Sequence, residues 1–434
     1  MMRTLIRGGR VVDPGNGRDG RFDVLVVDGA VAQVASAIPA EPGDAVVEAA
    51  GRFVVPGLVD PHCHLRDPGF EYREDIATGT AAAAAGGFTS VACMPNTNPV
   101  CDNAAVVEYI RSKARRVGVV NVYPIGAISR GLAGAELAEI GLMKEAGAVA
   151  VSDDGKPVAS PDLMRKALQY AAGFGMPVVS HCEEPTLSAG GAMNEGRVSA
   201  VLGLRGIPAT AEDAMTSREL LLAEYLGVPV HIAHVSTAGS IAMIRAAKAR
   251  GVQVTCETCP HYFLLTDEAC LGFDTMAKVN PPLRTAEDVA AVLAGIADGT
   301  VDMLATDHAP HHADEKDLEF ALANSGIDGF ETAFALSYDR LVGGGVVPLA
   351  RFVELMSLAP ARLLGIGRGT LSVGAPGDVT VFETGGPRTF RRAEMKSKSK
   401  NTPFDGWRMN ARVVATVVGG TVAYRADAPA EGTA

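Results

Sequence analysis

The feature that most constrains the fold is a repeated alternation of apolar runs and helix-like segments between residues 53 and 310. Eight apolar runs end in polar residues, and they read FVVPGLVD, FTSVACMPN, VVNVYPIGA, AVAVSDD, PVVSHCE, VPVHIAHVS, VQVTCET and VDMLATDH. The stretches between them look helical, and several end in glycine, as the C-termini of helices often do. Eight consecutive strand–helix units predict an α/β fold, a parallel (β/α)8 TIM-like barrel.

The two ends of the chain have a different pattern of apolar residues from the region between them. Residues 4–50 and 369–424 contain short apolar stretches separated by Gly, Pro, Asn and Asp, which is typical of strands joined by turns. Neither end could bury a core alone, so we expect the two to combine. The predicted organisation is a small composite β-sandwich domain from residues 1–55 and 366–434 beside a barrel domain at residues 56–365.

Charge and hydropathy argue against several classes of protein. The chain has 39 basic and 50 acidic residues and a net charge of −11, which argues against a nucleic-acid partner. No window reaches the roughly 18 apolar residues of a membrane helix, and arginines and glycines interrupt the N-terminal stretch where a signal peptide would be apolar. Seven cysteines in so long a chain do not indicate a disulfide framework. We expect a cytoplasmic protein that binds neither nucleic acid nor membrane.

Histidines and carboxylates follow the predicted strands. The carboxyl ends of the strands form the active face of a parallel barrel. His62 and His64 are two residues apart on the first strand, so both can face the barrel axis. Later strands end in Asp154, His181, His234 and Asp307. Imidazole and carboxylate are ligands of zinc and similar ions, and six are too many for one tetrahedral ion. The sequence therefore predicts two divalent ions, about 3.5–4 Å apart and bridged by a carboxylate and a hydroxide.

Beyond these ligands, longer stretches resemble the class I dihydroorotases of bacteria, within the amidohydrolase superfamily. They read DPHCHLRDPG (60–69), GGFTSVACMPNTNP (86–99), SDDG (152–155), SHCE (180–183), HIAHVSTAGS (231–240), KVNPPLR (278–284), ATDHAPH (305–311), GFETAF (329–334) and SKSKNTPFDGW (397–407). The resemblance covers nearly the whole chain. It implies a zinc-dependent cyclic amide hydrolase that interconverts N-carbamoyl-L-aspartate and L-dihydroorotate in de novo pyrimidine biosynthesis.

The resemblance also implies a role for each site residue. His62, His64 and Asp307 would hold the first zinc ion, His181 and His234 the second, and Asp154 would bridge the two. Asp307 would be the catalytic residue, taking a proton from a hydroxide and passing it to the ring nitrogen. Arg66 and Asn96 would hold the substrate carboxylate with His311 nearby, and Asn280 would contact the ring amide. The full set of expected substrate contacts is His64, Arg66, Asn96, Asn280, His311, Ser325 and Gly326.

The end of the fourth strand separates subfamilies. Hydantoinases, allantoinases and animal-type dihydroorotases carry a lysine there, carbamylated to bridge the metals, whereas this chain has SDDG. We therefore expect Asp154 to bridge directly, with Asp153 as an outward or supporting partner. After the eighth strand the family's Pro-Phe-Gly-Ile is replaced by Asn324-Ser325-Gly326-Ile327. Backbone contacts to the substrate tolerate such a change of side chain.

Two alternatives remain at this stage. The first is another cyclic amidohydrolase, a hydantoinase or an allantoinase, against which stand Arg66, the missing lysine and the MPNT and NPPLR stretches. The second is a non-catalytic partner of aspartate transcarbamoylase, but such relatives lose metal-binding histidines, and all six ligands are present here. Relatives form homodimers, and some assemble with aspartate transcarbamoylase, so both kinds of partner are expected beside the small-molecule substrate.

Overall fold

Eight parallel strands form the barrel, and the computed structural model describes them within residues 2–426 of the chain. In chain order they are Leu58–Cys63, Phe88–Cys93, Asn121–Gly126, Ala150–Ser152, Val178–Ser180, Val230–Ile232, Val254–Thr258 and Met303–Leu304. Each strand pairs with the next along the chain. A parallel bridge between Cys63 and His308 joins the last strand to the first, and the His64 amide donates to the His308 carbonyl at 2.8 Å. The predicted TIM-like barrel is confirmed.

Helices follow every barrel strand, as the alternating pattern predicts. The main ones are Ile76–Ala85, Ala104–Val117, Ile140–Ala146, Pro161–Ala172, Thr210–Leu226, Ala238–Ala249, Ala286–Asp298 and Phe330–Ser337. Shorter helices are Pro185–Ser188, Arg197–Leu202, Pro260–Leu264, Ala313–Lys316, Leu349–Val353 and Ala359–Leu364. The first helix begins with a capping box, because the Asp75 side chain accepts from the Thr78 amide. Within the described residues, no helix combines the length and the apolar character that crossing a membrane requires.

An eight-stranded mixed sheet combines the two ends of the chain. Its strands are Arg3–Asp13, Arg18–Val27, Ala30–Ala35, Ala45–Glu48, Phe53–Pro56, Val379–Glu383, Arg412–Val418 and Thr421–Arg425. The long strand Arg3–Asp13 pairs antiparallel with Arg18–Val27 and parallel with both Ala45–Glu48 and Phe53–Pro56. Most of the sheet's buried valines, leucines and isoleucines pack into cores separate from the barrel core, whereas Val12, Val55 and Val413 pack into the barrel core. The expectation that the two ends combine is confirmed.

One predicted barrel run divides between the two sheets. The sequence predicts a single strand for FVVPGLVD, but Phe53–Pro56 pairs with Val379–Glu383 in the terminal sheet, and only Leu58–Cys63 enters the barrel. The break falls at Gly57, where an added Cβ would lie 2.2 Å from the Thr89 hydroxyl. Only glycine permits this close approach of the backbone at the point where the run passes from one sheet to the other.

Candidate metal centre

The barrel fold places all six predicted ligands at one mouth. His62 lies inside the first barrel strand, and the other ligands follow their strands by one to three residues. All six side chains are at most 5% exposed. Five of them, together with the predicted substrate contacts, line a cavity of about 370 Å³; His62 lies behind its wall. Strand ends of a parallel barrel converge on one face, which explains why residues 245 positions apart in the chain meet here.

Asp154 is shared by two groups of potential ligands. The ligand atoms of His62, His64 and Asp154 lie within 4.8 Å of one another, and so do those of Asp154, His181 and His234. Asp154 Oδ1 lies 3.4 Å from Nε2 of both His62 and His234 and 3.6 Å from His181 Nδ1. This is the position that a bridging carboxylate requires.

Asp307 lies beside the first group. Its Oδ1 atom is 3.1 Å from His64 Nε2 and 3.6 Å from His62 Nε2. Asp153, in contrast, is turned away, because its Oδ1 atom accepts from the backbone amides of Ile128 and Ser129 at 2.7 and 3.0 Å. The structure thus separates the two neighbouring aspartates of the SDDG stretch into an inward and an outward carboxylate.

The donor set fits divalent metal ions. His62 Nδ1 lies 2.7 Å from the Glu257 carboxylate, which can only accept, so Nδ1 carries the proton and Nε2 presents a lone pair. That Nε2 atom is buried, and among the described residues it has no hydrogen-bond partner. Because this lone pair faces two carboxylates, it has to carry either a proton or a metal ion. His181 has a related arrangement: its Nε2 lies 3.0 Å from Glu183 Oε2, while its Nδ1 faces Asp154 and lies 2.8 Å from His234 Nε2.

Electrostatics keep both aspartates ionised. Burial favours the neutral acid, but when no metal ion is bound, His62, His181 and His234 act as protonated imidazoles, outweigh burial and hold the pKa of Asp154 well below its usual range. The pKa of Asp307 is also lowered against burial, through its hydrogen bond to His64 and the nearby His62. Two carboxylates that stay charged inside a buried pocket are suited to bind cations.

Three site residues have left-handed backbone conformations. Arg66, His234 and Asp307 have φ angles of 59°, 33° and 43°, which are uncommon for residues other than glycine. Each follows the end of a barrel strand and turns its side chain into the cavity. Strain of this kind concentrates at functional sites, where the surrounding structure maintains it.

The predicted substrate contacts line the same cavity. They are His64, Arg66, Asn96, Asn280, His311, Ser325 and Gly326. Arg66 Nε donates to the Pro310 carbonyl at 3.1 Å, and Arg66 Nη2 lies 3.3 Å from His311 Nε2. Burial lowers the pKa of Arg66 to about 10, so the guanidinium is still charged at neutral pH.

The two asparagines contact other site residues as well. Asn96 Oδ1 lies 2.9 Å from His64 Nδ1, and its amide nitrogen is 3.4 Å from Asp154 Oδ2. Asn280 donates from Nδ2 to Glu183 Oε2 at 2.8 Å. Both asparagines therefore connect the substrate side of the cavity to the potential metal ligands.

Sequence reasoning missed Glu257 and Glu183, which support His62 and His181. Glu257 interrupts the apolar seventh strand, and a charged residue in a buried strand was the available signal. Glu183 stands two residues after His181 in the SHCE stretch. Carboxylates that hydrogen-bond the second nitrogen of a ligating histidine fix its tautomer and ring orientation.

Comparison with known proteins agrees with this geometry. A family model described as "Dihydro-orotase-like" matches residues 51–240. The chain is 57% identical to the dihydroorotase of Acetivibrio thermocellus over 97% of this chain and 99% of that one. It is also 57% identical to the dihydroorotase of Citrifermentans bemidjiense, over 98% of this chain and 100% of that one.

Solved structures of related enzymes have the same fold. The L-hydantoinase of Arthrobacter aurescens superposes with a TM-score of 0.87 at 28% identity, covering 97% of this chain and 96% of that one. A D-hydantoinase from Bacillus sp. AR9 gives 0.85 at 25% identity, covering 97% and 95%. The sequence identity to dihydroorotases is about twice that to these hydantoinases. The chain therefore belongs to the dihydroorotase family.

Proposed function

We propose that the cavity at the barrel mouth catalyses the reversible conversion of N-carbamoyl-L-aspartate to L-dihydroorotate. The observation that carries this proposal is the shared position of Asp154 between two histidine pairs, with Asp307 and Arg66 in the same cavity. A metal centre that lies beside a positively charged binding site for a carboxylate matches a substrate that is a cyclic amide and bears a carboxylate.

Two zinc ions are the proposed cofactors. His62, His64 and Asp307 would hold one ion, His181 and His234 the other, and Asp154 both. Divalent ions bound there would polarise the amide carbonyl and lower the pKa of a water toward about 7. Imidazole and carboxylate ligands also accept manganese and cobalt, so zinc is the part of the proposal that metal analysis decides.

Asp307 moves the proton in this proposal. In ring opening its carboxylate accepts a proton from the attacking water and delivers it to the ring nitrogen as the amide C–N bond breaks. In ring closure the ureido nitrogen returns a proton to Asp307 while the new C–N bond forms and water leaves. Closure turns a carboxylate into a neutral amide and consumes one proton overall, so cyclisation is favoured as the pH falls.

Arg66 recognises the carboxylate that distinguishes the substrate. Its guanidinium is buried, charged and held by the Pro310 carbonyl, which leaves further N–H groups for a carboxylate. Asn96 and His311 lie beside it, and Asn280 would contact the ring amide. Ser325 and Gly326 would contact the ring through their backbone groups.

Substrate discrimination is the direct test. Purified protein is assayed for ring opening of L-dihydroorotate, with hydantoin and allantoin beside it and metal content measured on the same sample. Turnover of dihydroorotate alone, with metal bound, supports the proposal. Turnover of hydantoin instead would favour the hydantoinase-like alternative, and metal-loaded but inactive protein would favour a non-catalytic partner of aspartate transcarbamoylase.

Assembly, location and domain organisation complete the proposal. We propose a homodimer, association with aspartate transcarbamoylase and a cytoplasmic location, following the family resemblance and the sequence composition. We also propose that residues 1–55 and 366–434 act as one composite β domain beside the barrel of residues 56–365. The pairing of Phe53–Pro56 with Val379–Glu383 supports this organisation.

A further inference from the structure

Residues 396–402, which we call the strap, connect two loops of the substrate cavity from outside the barrel. The strap lies between the short strands Arg388–Thr389 and Arg408–Met409, in the C-terminal part of the chain. It is largely buried: Ser397, Asn401 and Thr402 are 1–2% exposed. None of its residues lines the cavity at the metal centre.

One end of the strap binds the loop that carries Arg66. The Ser399 hydroxyl donates to the Arg73 carbonyl at 2.7 Å. Lys398 Nζ lies 2.6 Å from both Asp75 Oδ2 and the Glu71 carbonyl, and the Lys398 amide donates to Glu74. These contacts fix the strap to residues 71–75, a few positions after Arg66.

The other end binds both sides of the loop after the eighth strand, through Asn401. Its Oδ1 atom accepts from the His311 amide at 3.0 Å. Its Nδ2 atom donates to the carbonyls of Ala309 and Gly326, each at 3.0 Å. The Asn401 carbonyl accepts from the Asp328 amide at 2.9 Å. One side chain thus connects residues 309–311 to residue 326.

The carboxamide is the only side chain group that satisfies all three contacts. They require one acceptor and two donors on a short side chain, which asparagine supplies in full. Aspartate would place an anion against two carbonyl oxygens. Alanine would remove the contacts that Asn401 makes to the His311 amide and the Ala309 carbonyl, and it would leave the Gly326 carbonyl with only Lys316 Nζ, at 3.2 Å. The neighbouring packing is tight, since a Cβ added at Gly326 would lie 2.6 Å from the Ala309 oxygen.

The two loops that the strap connects carry Arg66 and His311, which belong to the proposed site for the substrate carboxylate. Arg66 Nη2 lies 3.3 Å from His311 Nε2, and that Nε2 atom is 2.9 Å from the Ser325 carbonyl. We infer that Asn401 is a positioning residue for the substrate-carboxylate site: it holds His311 and Gly326 in register with Arg66 without touching the substrate. This inference rests on the proposed function, because it needs a carboxylate substrate.

The test compares Asn401→Ala and Asn401→Asp with Asn410→Ala. Asn410 is an exposed asparagine that contacts Asp339, away from the cavity, so it is a matched control. For each protein we would measure KM and kcat for L-dihydroorotate, metal content and the thermal midpoint. We expect KM to rise about tenfold or more in the Asn401 variants, as for loss of a hydrogen bond to a charged group. We expect kcat and metal content to stay near those of the unaltered protein.

The other outcomes are decisive too. Unchanged KM in Asn401→Ala would overturn the inference, and so would loss of metal with unchanged KM, which would place the effect at the metal centre. If Asn401→Ala does not fold, Asn401→Gln keeps the same groups one methylene further out, and a raised KM is again expected. No turnover in any protein, including the unaltered chain, would overturn the proposed function and this inference with it.

Discussion

Glu257 is predicted to set the metal affinity of the first site without contacting the ion. Its carboxylate is fully buried between two imidazoles, with Oε1 2.7 Å from His62 Nδ1 and Oε2 3.2 Å from His231 Nε2. Burial opposes ionisation, but His231 and His62 outweigh it and hold the pKa of Glu257 well below its usual range. The carboxylate therefore fixes the tautomer that directs the His62 lone pair toward Asp154 and Asp307.

The perturbation is Glu257→Gln, which keeps the shape and removes the charge. A glutamine nitrogen cannot accept, so one of the two imidazole contacts loses its acceptor. Even where the amide oxygen faces His62, the acceptor is uncharged and holds the His62 tautomer more weakly than the carboxylate does. Loss of such a support typically weakens metal binding by about 10- to 100-fold. At about 1.4 kcal/mol per factor of ten, this is about 1.4–2.8 kcal/mol of binding free energy.

The assay is a zinc titration of the metal-free protein against a competing chelator. Glu219→Gln is the matched control, because Glu219 is equally buried but accepts from the Ser180 hydroxyl and from Arg218, neither of which is a predicted ligand. We expect Glu257→Gln to need higher free zinc for half occupancy, while Glu219→Gln binds like the unaltered chain. Equal zinc affinity in Glu257→Gln and the unaltered protein would refute the reasoning.

Three further predictions follow from the site and the loop beside it. Asp307→Asn should lower kcat for ring opening by about 10²- to 10⁴-fold, the usual contribution of general acid–base catalysis, and an unchanged kcat would contradict the role of Asp307. Asp154→Ala should lose bound metal, and metal loading of the unaltered protein should not depend on bicarbonate; bicarbonate dependence would indicate a carbamylated lysine. Burial, with Lys278 nearby, lowers the pKa of Lys316 to about 7, below the unfolded value of about 10.4, so the folded chain loses this proton first. The free energy of unfolding should therefore rise with pH between those values, and Lys316→Met should reduce that rise in urea unfolding at pH 7 and 9; identical pH slopes would contradict this.

The barrel and its ligands could be predicted because their signals are local. An apolar run indicates each strand, and each ligand lies at or just after the end of a strand. The barrel topology alone therefore brings His62 and Asp307 together. The split of FVVPGLVD was missed because both halves are equally apolar. Only the close contact of Gly57 with Thr89, 32 residues later, shows where the chain changes sheets.

The partners of the supporting residues could not be predicted, because they are distant in the chain and no strand-end pattern brings them together. Glu257 is 195 positions from His62, and Asn401 is 90 positions from His311. Neither spacing follows from a strand or helix period. Glu257 also contacts the buried His231, on the neighbouring strand, at 3.2 Å.

The central claim is that a two-metal centre at the barrel mouth performs dihydroorotase chemistry. Its most direct test is a zinc titration of the metal-free protein that follows hydrolysis of L-dihydroorotate and bound zinc together. We predict that the metal-free protein is inactive and that activity rises with zinc until two ions are bound per chain. Full activity in the metal-free protein, or zinc binding that never restores turnover, would contradict the account.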